Sequence, residues 1–171
     1  MVRISAESQH AKRAYALVIS LQKRFVEHMQ AASQRFGTAG SFESVEWFRD
    51  GGRHGGGTRY VANDHSMFNQ ASVNVSQVQY DSDETKKLAS ATALSSIIHP
   101  HNPLAPSVHL HVSWTEMKSG HGYWRVMADL NPAIENLQHT QQFKKALIGA
   151  GELSDEVLTA AFDRGDRYFY I

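Results

Sequence analysis

The chain has 171 residues, 42% hydrophobic, 10% aromatic and 20% charged, which is enough apolar material for one cored domain over residues 1–171 and too little length for two. Seventeen Lys and Arg balance seventeen Asp and Glu with no block of like charge, which argues against a nucleic-acid binder held by bulk electrostatics. The absence of cysteine removes disulfides, thiolate catalysis and cysteine-ligated metal centres together.

Across residues 5–36, Val18, Leu21, Phe25, Met29, Ala32 and Phe36 recur at three- and four-residue intervals, which predicts a helix with one buried stripe, ended by Gly37. Its other face is mildly basic and reads as solvated surface. Beyond Gly37 come short β-type runs at 44–49, 59–62, 72–80, 91–99, 108–117 and 123–130. Their connections are too short for helical crossovers, so neighbouring strands are expected to be antiparallel, with one helical turn at 83–88. Asn131-Pro132 then punctuates the chain before two helical patterns near 133–148 and 154–168. Ser154, with Asp155 and Glu156 behind it, supplies a capping hydroxyl and acids suited to a helix start. Helix, strands, helices predicts an α+β domain in which an antiparallel β-sheet is flanked by helices. No apolar stretch reaches the length of a signal core or a membrane span, so a soluble, cytoplasmic protein is expected. The aromatic run 168–171 is expected to be strand-like, packing back on the body or into a dimer, or standing where a longer relative continues.

Three stretches carry residues suited to chemistry. Gly51-Gly52-Arg53-His54-Gly55-Gly56-Gly57 is dense enough in glycine to let backbone approach a ligand, or to form a flexible hairpin connection. It lacks the lysine of a phosphate-binding loop. Residues 95–111 hold three of the four prolines and four of the ten histidines. Strand alternation puts His109 and His111 on one face, and a rigid proline loop holds His99 near them, a cluster able to move protons or to ligate a metal. His109-x-His111 followed by Glu116 also fits a cupin-like metal spacing, which implies a small metal-dependent enzyme on a β-barrel. Asp129, in Ala128-Asp129-Leu130-Asn131-Pro132, closes the last strand as a buried acid or as a helix cap.

In order, these stretches resemble the aerobic, oxygen-dependent coproporphyrinogen III oxidase family. The resemblance rests on Trp47 through Gly57, on Phe68-Asn69-Gln70-Ala71-Ser72-Val73-Asn74-Val75-Ser76, and on the run from Ser95 to Pro103. It continues with Pro106-Ser107-Val108-His109 and with the aromatic strand from Tyr123 to Pro132. It implies conversion of two propionate side chains of coproporphyrinogen III to vinyl groups in porphyrin and haem biosynthesis. Molecular oxygen would be the co-substrate and no cofactor would be required, in a homodimer built on an antiparallel sheet. By resemblance His109 is the proton donor, Asp129 accepts the pyrrole N–H groups, and Ser95, His111, Val112 and Ser113 touch the substrate. Arg53, Arg59 and Arg125 are available for its carboxylates. Some members bind a divalent metal through positions matching His99 and His109, with Lys144 at a third. The chain departs from the pattern at Ser113, where the family has arginine, at Arg125-Val126-Met127, where it has three glycines, and at Asn69-Gln70. These departures leave open a tetrapyrrole-binding relative without catalysis.

Overall fold

The computed structural model describes residues 2–36, 40–63, 66–149 and 154–169. Helix α1 (Gln9–Arg35) is followed by β1 (Phe42–Phe48), a 3-10 turn (Asp50–Gly52), β2 (Gly55–Ala62), β3 (Phe68–Gln79), β4 (Leu88–Pro100), β5 (Ser107–Met117) and β6 (Gly122–Asn131). Helices α2 (Leu137–Gly149) and α3 (Asp155–Phe169) complete the described chain. The six strands form one sheet in sequence order, each antiparallel to the next. The fold is therefore α+β, with α1 packed on β3, β4 and β5 and α3 packed on β6. No helix among the described residues is long and apolar enough to cross a membrane.

The core lies between α1 and one sheet face, where alternate residues of β3 and β4, including Ala71, Val73, Val75, Leu94 and Ile98, meet Val18 and Val26. Each Val, Leu or Ile side chain among them stabilises the fold by about 1.5–3 kcal/mol on burial. Ser8 caps α1 by accepting from the Ala11 amide at 3.0 Å. The expected helical stripe is rotated. Ala11, Ala14, Val18, Gln22, Val26 and Ser33 face the sheet, Leu21, Phe25 and Met29 flank that row, and Phe36 is exposed. The cause is Gln22, whose Nε2 donates to the carbonyls of Thr58 at 2.7 Å and Val73 at 2.9 Å, so a polar residue holds the centre of the interface. Gly37, expected to end the helix, lies outside the described residues.

The glycine run divides: Gly51 and Gly52 lie in the hairpin connection between β1 and β2, and the later glycines are strand. Gly55, Gly56 and Gly57 belong to β2; all three are paired to β3, and Gly56 and Gly57 to β1 as well. What comes close is the chain itself. A Cβ on Gly52 would lie 2.2 Å from the Val2 carbonyl oxygen, and one on Gly57 would lie 2.7 Å from the Trp47 indole nitrogen. Residues 83–86 form a hydrogen-bonded turn rather than a helical turn, with Asp83 Oδ1 taking both the amide and the hydroxyl of Thr85, and Leu88 already opens β4. The aromatic end is not a strand: α3 runs through Tyr168 to Phe169, and residues 170–171 lie outside the described chain.

Candidate active site

The sheet register arranges the face opposite α1 in rows, because strand side chains alternate and antiparallel partners share a face. One row runs Val45, Arg59, Asn74, Ser95, His111, Met127 from β1 to β6. Beside it on one side run Glu43, Val61, Ser72, Ile97, His109, Asp129, and on the other Trp47, Gly57, Ser76, Ala93, Ser113, Arg125. This is the polar face of the sheet, and it carries the candidate chemistry.

Three side chains form a line at the β4–β6 end. His109 Nδ1 lies 2.9 Å from Asp129 Oδ2, and His109 Nε2 lies 3.0 Å from His99 Nε2. His109 is 2% exposed and Asp129 6%, so the imidazole and carboxylate meet with little water between or around them. A carboxylate accepts only, so Nδ1 of His109 carries hydrogen and the tautomer is set by Asp129. The proton between the facing Nε2 atoms can then belong to either ring. Burial holds the pKa of His99 below its usual value, with the neighbouring His109 adding to the effect. Asp129 Oδ1 takes no hydrogen bond from any described residue and retains acceptor capacity.

In the adjacent row Ser95 Oγ and His111 Nδ1 are 2.8 Å apart. Burial also lowers the pKa of His111, and the Arg125 guanidinium lowers it further. A hollow of about 410 Å³ opens beside this pair, lined by Val45, Trp47, Arg59, Ser72, Asn74, Ser95 and Ile97. The Trp47 indole N–H donates to Asn74 Oδ1 at 2.9 Å, so Gly57 is small in order that the ring can lie across β2 and reach β3.

The expected residues are therefore only partly gathered. His99, His109, Asp129, Ser95, His111, Ser113 and Arg125 share the face. Val112 does not. It pairs with the core residue Leu94 and faces α1, since alternation separates it from both neighbours. Arg53 follows the 3-10 turn before β2, where its carbonyl accepts from Gln79 Nε2 and its side chain lines a hollow with Glu7 and Asp81. Gly55 pairs with Val78 whereas Val61 pairs with Ser72, so Arg53 sits at the strand end remote from the histidines. The cupin-like set fails for the same alternation that joins its histidines. Glu116 faces α1, accepting from Ser8 Oγ and from the Trp114 indole N–H. As for a metal on His99 and His109, Asp129 is on the far nitrogen of His109, and among the described residues no three His, Asp or Glu side chains gather as ligands. The sequence reading missed Trp47 and Asn74 as site lining and Arg164, Arg167 and Tyr168 of α3, which border a second hollow with Arg125 and Met127. Their three- and four-residue spacing on one helix was the available signal.

Comparison with known proteins bears on what this face does. A family model described as coproporphyrinogen III oxidase matches residues 13–171. Oxygen-dependent coproporphyrinogen-III oxidases from Prochlorococcus marinus (strain MIT 9312) and Synechococcus sp. (strain CC9605) are each 30% identical, over 91% and 96% of this chain. One from Prochlorococcus marinus subsp. pastoris is 32% identical over 76% of it. The chain spans 46% of the length of the first two relatives, a little under half. The matched stretch takes in the entire sheet, with every residue of the His99, His109 and Asp129 line, and the chain belongs to the coproporphyrinogen III oxidase family.

Proposed function

We propose that this chain acts in the oxygen-dependent oxidative decarboxylation of coproporphyrinogen III, turning two propionate arms into vinyl groups for haem synthesis. Each arm loses carbon dioxide, a proton and an electron pair, and oxygen takes the electrons. The observation that carries the reading is the line Asp129, His109, His99 on the polar face of the sheet, with Asp129 and His109 buried and His99 half-buried. A non-planar macrocycle with N–H groups at its centre and carboxylates at its edge needs a central acceptor, apolar walls and cationic margins. Asp129 Oδ1 supplies the acceptor, Trp47, Val45, Ile97 and Met127 the walls, and Arg59 and Arg125 the margins. The carboxylate stabilises positive charge that develops on the pyrroles as oxygen attacks. His109, its tautomer set by Asp129, exchanges a proton through Nε2, and His99 relays it outward.

Molecular oxygen is the co-substrate in this reading, and no step is routed through a metal. The same proposal includes a cytoplasmic homodimer, with which the cysteine-free composition accords. The test is to supply coproporphyrinogen III under air and follow the vinyl product. The wild-type chain turns it over, and His109→Gln lowers the rate about a hundredfold or more, the usual contribution of a positioned acid or base. One observation favours a second reading, a tetrapyrrole-binding protein without catalysis: Ser113, buried at 7% exposed, carries no charge beside the histidine row. Saturable coproporphyrin binding with no vinyl product would establish that alternative.

A further inference from the structure

The second hollow, also about 410 Å³, is bordered by Arg125, Arg164, Arg167, Met127 and Tyr168. Arg125 projects from the polar face of β6, and the other two arginines stand three residues apart on α3. Arg164 Nε donates to the Ala160 carbonyl at 2.7 Å, and Arg167 Nε to that of Asp163 at 3.0 Å. Those contacts fix the side chains and use one donor of each guanidinium, leaving the terminal N–H groups for another partner. Among the described residues none of the three guanidiniums forms an ion pair. Three neighbouring positive charges repel one another, and an oxyanion between them removes that cost while accepting their forked donors. Close seating of α3 makes the cluster possible. A Cβ on Gly165 would fall 2.0 Å from the Ala128 carbonyl oxygen, so the helix rides on β6 backbone with no side chain between.

The cluster also lies where a substrate arm would end. Asp129, Met127 and Arg125 follow one another on the same face of β6, which puts Arg125 roughly 14 Å along the strand from Asp129 at about 3.4 Å per residue. Met127, between them, lines the hollow, so a macrocycle whose N–H groups were held at Asp129 would extend over Met127 toward the arginines. Ser113, the cross-strand partner of Arg125, is small and leaves that guanidinium room.

Resting on the reading of a tetrapyrrole substrate, we propose that Arg125, Arg164 and Arg167 form a carboxylate site, built jointly by β6 and α3, that receives a propionate of the macrocycle. Arg164 and Arg167 bind from outside the sheet, so substrate orientation depends on α3 being docked.

The test is fluorescence titration of the full chain with coproporphyrin III, with its tetramethyl ester, and with inorganic phosphate as competitor. The wild type should bind the acid at least about tenfold more tightly than the ester, the size of one partly exposed charge-assisted contact. Arg164→Gln with Arg167→Gln should remove about that factor for the acid and leave the ester unchanged. Both side chains are exposed, so an unaltered thermal melt is expected to accompany the loss, and Arg125→Gln on the sheet gives an independent second variant. Equal acid binding by wild type and all arginine variants would overturn the carboxylate site and leave the tetrapyrrole reading standing. Failure of the wild type to bind coproporphyrin at all would overturn both. Phosphate binding as tight as that of coproporphyrin, lost in the same variants, would show a general oxyanion site and overturn the assignment to a propionate.

Discussion

His109 has a different partner on each ring nitrogen, and the consequences are separable. Replacing Asp129 with Asn keeps the volume but puts a donor amide beside an acceptor oxygen, so the group no longer fixes the tautomer. Turnover is expected to fall about a hundredfold to ten-thousandfold, and stability by about 1–3 kcal/mol through the mispaired buried imidazole, read by product formation and by thermal melting. His99 and His111 give a pH signature. Both have pKa values held below the ordinary 6.5, so the unfolded chain binds protons that the folded chain resists. Their contribution to stability is complete above pH 6.5 and is lost as pH falls through the lowered folded values. Urea midpoints measured downward from pH 7.5 should therefore decline below about pH 6.5, and His111→Gln should flatten the decline. The sequence made most of this line legible, because the imidazoles and the acid lie in the segments with the strongest motifs. It did not show which nitrogen of His109 each partner takes, since that depends on how the ring is turned in the folded sheet.

At the level of elements, the departures from expectation share a cause: a tertiary contact outweighs a local pattern. Gln22 breaks the hydrophobic periodicity of α1 and yet sits at its centre, because two strand carbonyls await its amide. Gln22→Leu leaves those contacts unmade and is expected to cost about 1–3 kcal/mol in thermal unfolding. Glycines at 55–57 looked like a loop because composition does not reveal that Trp47 and residue 75 press on the strand from either side. Glu116 was within reach of sequence reasoning, since it stands five positions after His111 and an odd spacing reverses the face. For Gly165 two effects compete. Alanine favours a helix interior by about 1 kcal/mol, whereas a methyl against backbone that cannot yield costs about 1–3 kcal/mol. The clash wins: Gly165→Ala should lower the melting temperature and weaken coproporphyrin binding together, as α3 is lifted from β6.

Across the whole molecule the two faces of the sheet divide the work. One is closed by α1 and carries the apolar core, and the other bears rows of polar groups between two arginine-bearing margins. Substitutions should sort by face. Glu116→Gln weakens the Ser8 contact at the start of α1 and should shift unfolding while leaving coproporphyrin affinity unchanged. Asn74→Ala and Ser95→Ala should do the reverse, lowering affinity with melting altered by less than about 1 kcal/mol each, as is usual for partly exposed polar positions. Titration and calorimetry on the same samples distinguish the two classes.

Alternation on β5 ties these faces to one another. Val108, Leu110 and Val112 point one way and His109 and His111 the other, so sliding the strand by a single residue would drive imidazoles into the oil and leave aliphatic groups wet. A misthreaded copy therefore loses its fold along with its reactive groups, and quality control that discards unstable chains discards the chemically defective ones too. Insertions between β4 and β5 are tolerable only if they bulge outward and return the strand in phase.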